Sequence, residues 1–306
     1  MMKVGVIGLG SMGMGVALNL VDKGFEVFGC DLRAPSRDAL VRAGGTGAAT
    51  PAALPPDLDA LVILVLNAAQ TEAVLFGPDG VAPGLSRACV VLCCATVAPD
   101  FARALARRME DTGLPMLDSP VSGGAIAARE GRMTVIASGP PAAFAAAETL
   151  LAAMAGKVWR LGDVAGIGST VKMVNQLLAG VHIAAAAEAM ALGIRAGADP
   201  STLFEVISAS AGSSWMWQNR MPHILAGDDT PLSAVDIFVK DLGIVLDQAR
   251  ALTFPLPLSA AAHQLFLAAS AGGHGGRDDA FVIRVWQALT GIALPAASTE
   301  PPPRSG

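Results

Sequence analysis

The chain has 306 residues, 53% of them apolar and 15% charged, and a net charge of -5. That length exceeds one ordinary core and calls for two domains, while the apolar content suits large cores and contact between copies of the chain. With an acidic balance and no basic block, neither a nucleic acid nor a membrane surface is expected as a partner.

Residues 1–10 carry no cationic leader and no small-residue cleavage site, and reach glycine before a long apolar run develops, so a cytoplasmic protein is expected. Apolar runs at 3–8, 25–31, 60–66 and 89–93 read as buried strands of a parallel sheet, with helical stretches opening near Ser11, Pro35, Ala68 and Pro99. Further strands follow at 115–117, 133–138 and 157–161. This is the βαβ alternation of a doubly wound fold.

Beyond Gly162 the strand signals stop. Residues 167–197 read as one long helix ended by Gly197, with Asp199-Pro200 as break and restart, and helical patterns recur at 201–210, 233–252, 256–271 and 278–289. The expected organisation is an α/β Rossmann-type dinucleotide-binding domain over 1–163 and an all-helical domain over 164–295 that begins with a long interdomain helix. A disordered tail is expected over 296–306, where three prolines run together.

The apolar stretch 179–198 holds His182, Glu188 and Arg195, which a membrane span carries only at high cost, so it reads as a buried, alanine-rich helix. Cys30, Cys89, Cys93 and Cys94 contain no C-x-x-C pair. They read as small buried apolar residues in a reducing compartment, and no metal site is expected.

Gly8-Leu9-Gly10-Ser11-Met12-Gly13 follows a strand and opens a helix. One glycine permits the tight turn, one admits a pyrophosphate to the backbone, and one allows close helix–strand packing, while the helix start offers N–H groups to the anion. Asp31 ends the next strand at the spacing of an acid that binds ribose hydroxyls. Its charge repels a 2′-phosphate and favours NAD over NADP, although Arg33 two residues on works the other way. Leu66 and Asn67 close the next strand at the same carboxyl edge of the sheet, where open α/β folds place ligands.

These residues, with three later segments, resemble the β-hydroxyacid dehydrogenase family, which includes 3-hydroxyisobutyrate and 6-phosphogluconate dehydrogenases. The opening 4–15 resembles the family's cofactor-binding start, 118–124 (DSPVSGG) its substrate motif, 166–172 (GIGSTVK) its catalytic helix start, and 238–242 (FVKDL) its C-terminal lysine motif. The resemblance implies a small hydroxy acid as substrate, NAD as cofactor, and a homodimer or homotetramer. The stretches 67–70, 176–184 and 233–242 look like the branch that oxidises the 2-hydroxyl of L-threonate.

The resemblance makes Lys172 the proton-transfer group. A lysine titrates near ~10.4, so burial or a nearby cation must favour its neutral form, and its neighbours Val171, Met173 and Val174 offer an apolar setting. Asn175 and Gln176 lie three and four residues on and share its face. The family commonly has an asparagine at the fourth position; here it is Gln176, and either amide can orient the substrate hydroxyl. Ser122, Gly123 and Gly124 form a corner able to donate to a carboxylate, and Lys240 matches the lysine that reaches cofactor and substrate. Thr96 matches a threonine near the nicotinamide, though Ala95 stands where the family has serine.

Taken singly, Lys172 and Lys240 would read as solvated side chains. Retention of Lys172, Ser122 and Lys240 together argues against a dinucleotide-binding protein without catalysis, which would be expected to lose the base. The Trp/Met run 213–220 reads as helix packing rather than a substrate wall with Arg220 as clamp, and His182 as a core histidine.

Overall fold

A computed structural model describes residues 1–295; the expected tail, 296–306, lies outside the described residues. Two compact units form, and they divide inside one long helix, between Met173 and Val174.

The first unit is built on a parallel sheet of six strands: β1 (Lys3–Ile7), β2 (Glu26–Cys30), β3 (Thr46–Ala48), β4 (Ala60–Ile63), β5 (Val90–Cys93) and β6 (Met116–Asp118). Their order is β3-β2-β1-β4-β5-β6. Successive side chains of a strand point to opposite faces, so Val4, Val6, Val62 and Leu92 enter one core while Ile7, Leu61, Ile63 and Val91 enter another. Burial on both faces explains why these strands are continuous apolar runs without alternation.

Helices α1 (Ser11–Asp22), α2 (Ala34–Arg42), α3 (Ala68–Phe76) and α4 (Pro99–Thr112) alternate with the strands. Strands β7 (Val121–Ser122), β8 (Met133–Ala137) and β9 (Ala155–Arg160) form a second, three-stranded sheet with helices α5 (Gly124–Arg129) and α6 (Pro141–Met154) between them. The sequence pattern does not separate this sheet from the first.

Helix α7 (Ile167–Arg195) crosses from the first unit into the second. By length and composition it is apolar enough to span a membrane, yet Ala179, Ile183, Ala187 and Met190 lie in the core of the second unit. Helices α8 (Pro200–Ser208), α9 (Trp215–Ala226), α10 (Val235–Ala251), α11 (Pro257–Ala269) and α12 (Arg284–Thr290) complete the described part of that unit. The run 213–220 belongs to α9, whose start is capped by the Ser214 hydroxyl accepting from the Trp217 N–H at 3.0 Å.

Candidate active site

The sheet order places its topological switch between β1 and β4, which leave in opposite directions along the sheet. Gly8 and Leu64 follow these two strands directly and so lie side by side. Gly8 has φ +91°, and a Cβ on it would sit 2.6 Å from the Leu64 carbonyl oxygen. A Cβ on Gly13 would lie 1.7 Å from the Gly8 carbonyl oxygen, so only glycine lets α1 seat this closely on β1. At Gly10, by contrast, an added Cβ meets nothing within 4 Å. The three glycines thus divide into two that packing demands and one that leaves backbone open to a ligand.

Helix α1 begins at Ser11 with no side chain capping it, so the N–H groups of its first turn face outward for an anion. Asp31, just past β2, accepts the Leu9 N–H at 2.8 Å and the Arg33 N–H at 2.8 Å. Burial pushes the Asp31 carboxyl up, but hydrogen bonds from Arg33 and Leu9 outweigh it and hold the group below its ordinary value. It stands ionised beside the glycine loop. The Arg33 guanidinium turns back on Asp31 and on the Leu9 carbonyl, both at 3.2 Å. These groups fit a dinucleotide: an open backbone for the pyrophosphate and an anionic acceptor for ribose hydroxyls.

Leu66 is exposed in the loop after β4, where its N–H donates to Gln70 Oε1 at 2.8 Å. Asn67 caps α3, its Oδ1 accepting the Gln70 N–H at 2.8 Å. Thr96 follows β5 and is half-buried. Ser122 pairs with Thr134 in the second sheet, and Gly123 and Gly124 follow with φ of +128° and +74°, a corner that a side chain would strain.

Lys172 is buried at 7% exposure. The expected source of that burial is corrected: Val171 and Val174 are exposed. Residues one or two apart on a helix point in different directions, so chain neighbours do not shield one another. The buried stripe instead runs through Ser169, Lys172, Gln176, Ala179 and Ile183. His182 lies off that stripe and is exposed, which corrects its reading as a core residue.

In the second unit, Gln176 donates to the buried Asp241 carboxylate at 2.5 Å and accepts from the Asn175 amide at 3.0 Å. Lys240 pairs with the other oxygen of Asp241. One carboxylate therefore joins Gln176 and Lys240, which lie far apart in sequence. Asp241 was missed as a site residue; its place beside Lys240 in the motif was the only signal. Arg220 grips Asp279 through two bonds of 2.6 and 3.0 Å, both side chains buried, so its guanidinium serves packing.

All four cysteines are buried. Burial raises the thiols of Cys30 to about 11 and of Cys89 and Cys94 to about 12, which keeps them protonated and inert. Among the described residues no group of three or more His, Cys, Asp or Glu gathers as a metal site.

The profile described as the NAD binding domain of 6-phosphogluconate dehydrogenase matches residues 3–162. That described as the NAD-binding domain of NADP-dependent 3-hydroxyisobutyrate dehydrogenase matches residues 166–286. The chain belongs to the β-hydroxyacid dehydrogenase family. As a member of that family it is an NAD-dependent hydroxy-acid dehydrogenase. It is 59% identical to the L-threonate dehydrogenase of Cupriavidus necator, over 95% of this chain and 97% of that one. It is 50% identical to the L-threonate dehydrogenase of Escherichia coli K12, over 97% of each. A crystal structure described as 3-hydroxyisobutyrate dehydrogenase from Salmonella typhimurium superposes with a TM-score of 0.89 at 49% identity, covering 93% of this chain and 100% of that one.

Proposed function

We propose that the protein oxidises L-threonate at its 2-hydroxyl to 2-dehydro-L-erythronate, with Lys172 taking the hydroxyl proton. The observation that carries the assignment of Lys172 is its burial on the face of α7 that also carries Ser169 and Gln176. Only the uncharged amine can accept that proton. NAD, held at the Gly8–Gly13 turn with its ribose against Asp31, supplies the hydride acceptor.

Leu9, Ser11, Met12 and Thr96 complete the cofactor side of this proposal, with Leu66 and Asn67 at the adjoining strand end. Ser122, Gly123 and Gly124 hold the substrate carboxylate through the hydroxyl and main-chain N–H groups. Asn175, Gln176 and Lys240 are assigned to the substrate as well, with Lys240 reaching the cofactor too. Because both polar ends of the Gln176 amide are engaged by Asp241 and Asn175, Asn175 is the better placed of the two amides to orient the hydroxyl. The likeness to proteins named L-threonate dehydrogenase favours that acid. We also read the protein as a cytoplasmic homodimer or homotetramer, which its apolar composition supports.

The test is Lys172→Ala assayed with L-threonate by NADH absorbance. Turnover is expected to fall by at least ~10²-fold, within the range ascribed to a positioned acid–base group, while NADH still binds. Undiminished turnover would end the assignment. A panel of L-threonate, 3-hydroxyisobutyrate and glycerate, each with NAD and NADP, tests substrate and cofactor together. The name of the Salmonella typhimurium structure makes 3-hydroxyisobutyrate the competitor to beat.

A further inference from the structure

The motif 118–124 has two ends, and only Ser122–Gly124 enters the reading above. Asp118, the last residue of β6, is 1% exposed. Its Oδ2 accepts the N–H of Gly166 at 2.8 Å and of Ser169 at 2.9 Å, and its Oδ1 accepts the Ser169 hydroxyl at 2.6 Å. Ser138, just past β8, accepts the Gly168 N–H at 3.0 Å and donates to Asp118 Oδ2 at 3.3 Å. The N–H groups that a helix start leaves unpaired are thus met by two strand ends. The carboxylate also opposes the positive end of the helix dipole.

The seat is closer than an ordinary residue allows. A Cβ on Gly168 would lie 2.6 Å from the Ile136 carbonyl oxygen and 2.7 Å from that of Asp118. It also differs from the side-chain caps of α3, α8 and α9. Asn67, Asp199 and Ser214 each cap their own helix from three residues away. The cap of α7 comes from 48 and 51 residues upstream.

A cap is enough to stabilise a helix; a distant, buried cap fixes where the helix lies. Ser169 and Lys172 are three residues apart and so share a side of α7. From this we infer that Asp118 is a positioning residue for the dehydrogenation. It anchors the first turn of α7 so that the Lys172 amine, one turn on, keeps a fixed place relative to the Ser122–Gly124 corner, which begins four residues after Asp118 in the same motif. The inference rests on Lys172 being the proton-transfer group.

Asp118→Asn, Gly168→Ala and Ser169→Ala are compared with Lys172→Ala in the full-length enzyme, with L-threonate and NAD. Misplacement of a reacting group by ~1 Å costs up to ~10²-fold. Asp118→Asn and Gly168→Ala are therefore expected to lower kcat by ~10- to 100-fold per NADH-binding molecule, and Ser169→Ala by several-fold. The affinity for NADH should stay within about twofold. Gly168→Ala leaves every charge in place and disturbs only the seat of α7, so a fall in its kcat with NADH affinity unchanged reports position rather than charge. A purely structural cap would reduce the folded fraction and leave kcat per binding molecule unmoved; that result overturns the inference. If Asp118→Asn loses its fold, Ser169→Ala, which removes one hydroxyl, decides. Full turnover in Lys172→Ala would overturn both readings, whereas its loss with wild-type behaviour in the other three would overturn the positioning role alone.

Discussion

The two units present their functional groups by different means. At its cofactor side the first works through backbone: a glycine turn, an open helix start and strand ends, with Gly8, Gly10 and Gly13 inside six residues. The second works through paired side chains drawn from far along the chain, Gln176 with Asp241 across 65 residues, and is packed in the same way by Arg220 with Asp279 across 59. A backbone-built site demands glycine wherever φ turns positive or two segments touch, so it leaves a dense local code. A side-chain network demands only that some acid meet some base or amide, and many sequences satisfy that.

The largest effect should separate the glycines within one motif. Gly13→Ala places a methyl group on the Gly8 carbonyl, and α1 must leave β1. Overpacking of this severity costs ~3 kcal/mol or more, and a large drop in melting temperature or loss of soluble protein is expected. Gly10→Ala meets nothing in the structure, so its melting temperature should match the parent while NADH affinity, followed by fluorescence titration, falls tenfold or more. Equal destabilisation by the two substitutions would erase the distinction between glycine kept for packing and glycine kept for a ligand.

A smaller effect is expected from Asp241→Ala in the second unit. Removing one partner of a buried charge pair costs ~3–5 kcal/mol, and the lower end applies because the Lys240 side chain is one-fifth exposed. Urea unfolding measures it. Asp241→Asn, which still accepts from Gln176 but loses the charge facing Lys240, should fall between parent and alanine. Parental stability in both variants would show that the second unit does not depend on this network.

The same contrast governs what the sequence discloses. The strands β1, β2, β4 and β5 are visible because burial on both faces makes them unbroken apolar runs, and the glycine turn with Asp31 is visible because its spacing is local. Helix α9 shows only as the packed run 213–220, because Pro222 interrupts its pattern beyond that point. Strand β7 is only two residues long, too short to carry a periodicity. Lys172 is found through its motif, but the origin of its burial is not: the helix face, rather than the chain neighbours Val171 and Val174, sets the surroundings. Asp118 and Asp241 sit inside recognised motifs, yet what they hold lies 48 to 65 residues away. No local pattern reports that.

The smallest effect tests whether the second unit's side-chain pairs carry a pH signature. His223 Nδ1 lies 3.0 Å from the buried Asp278 carboxylate. That hydrogen bond raises the imidazole above its ordinary value, against burial, with Arg220 opposing and Asp279 assisting. A histidine whose folded value is raised contributes stability that is complete below its unfolded value of about 6.5 and disappears as pH climbs through the higher folded value. The melting temperature of the parent should therefore fall between pH 6 and pH 8.5 more steeply than that of His223→Asn, which keeps a polar group in place but cannot gain the charge. Asp278→Asn should flatten the same slope, but at a greater general cost, because Asp278 also accepts the N–H groups of Leu232 and Ala280 at 3.1 Å each. Identical slopes in the parent and His223→Asn would mean the pair forms without a proton on the ring, and the charge in this part of the second unit would then rest on Arg220 and Asp279.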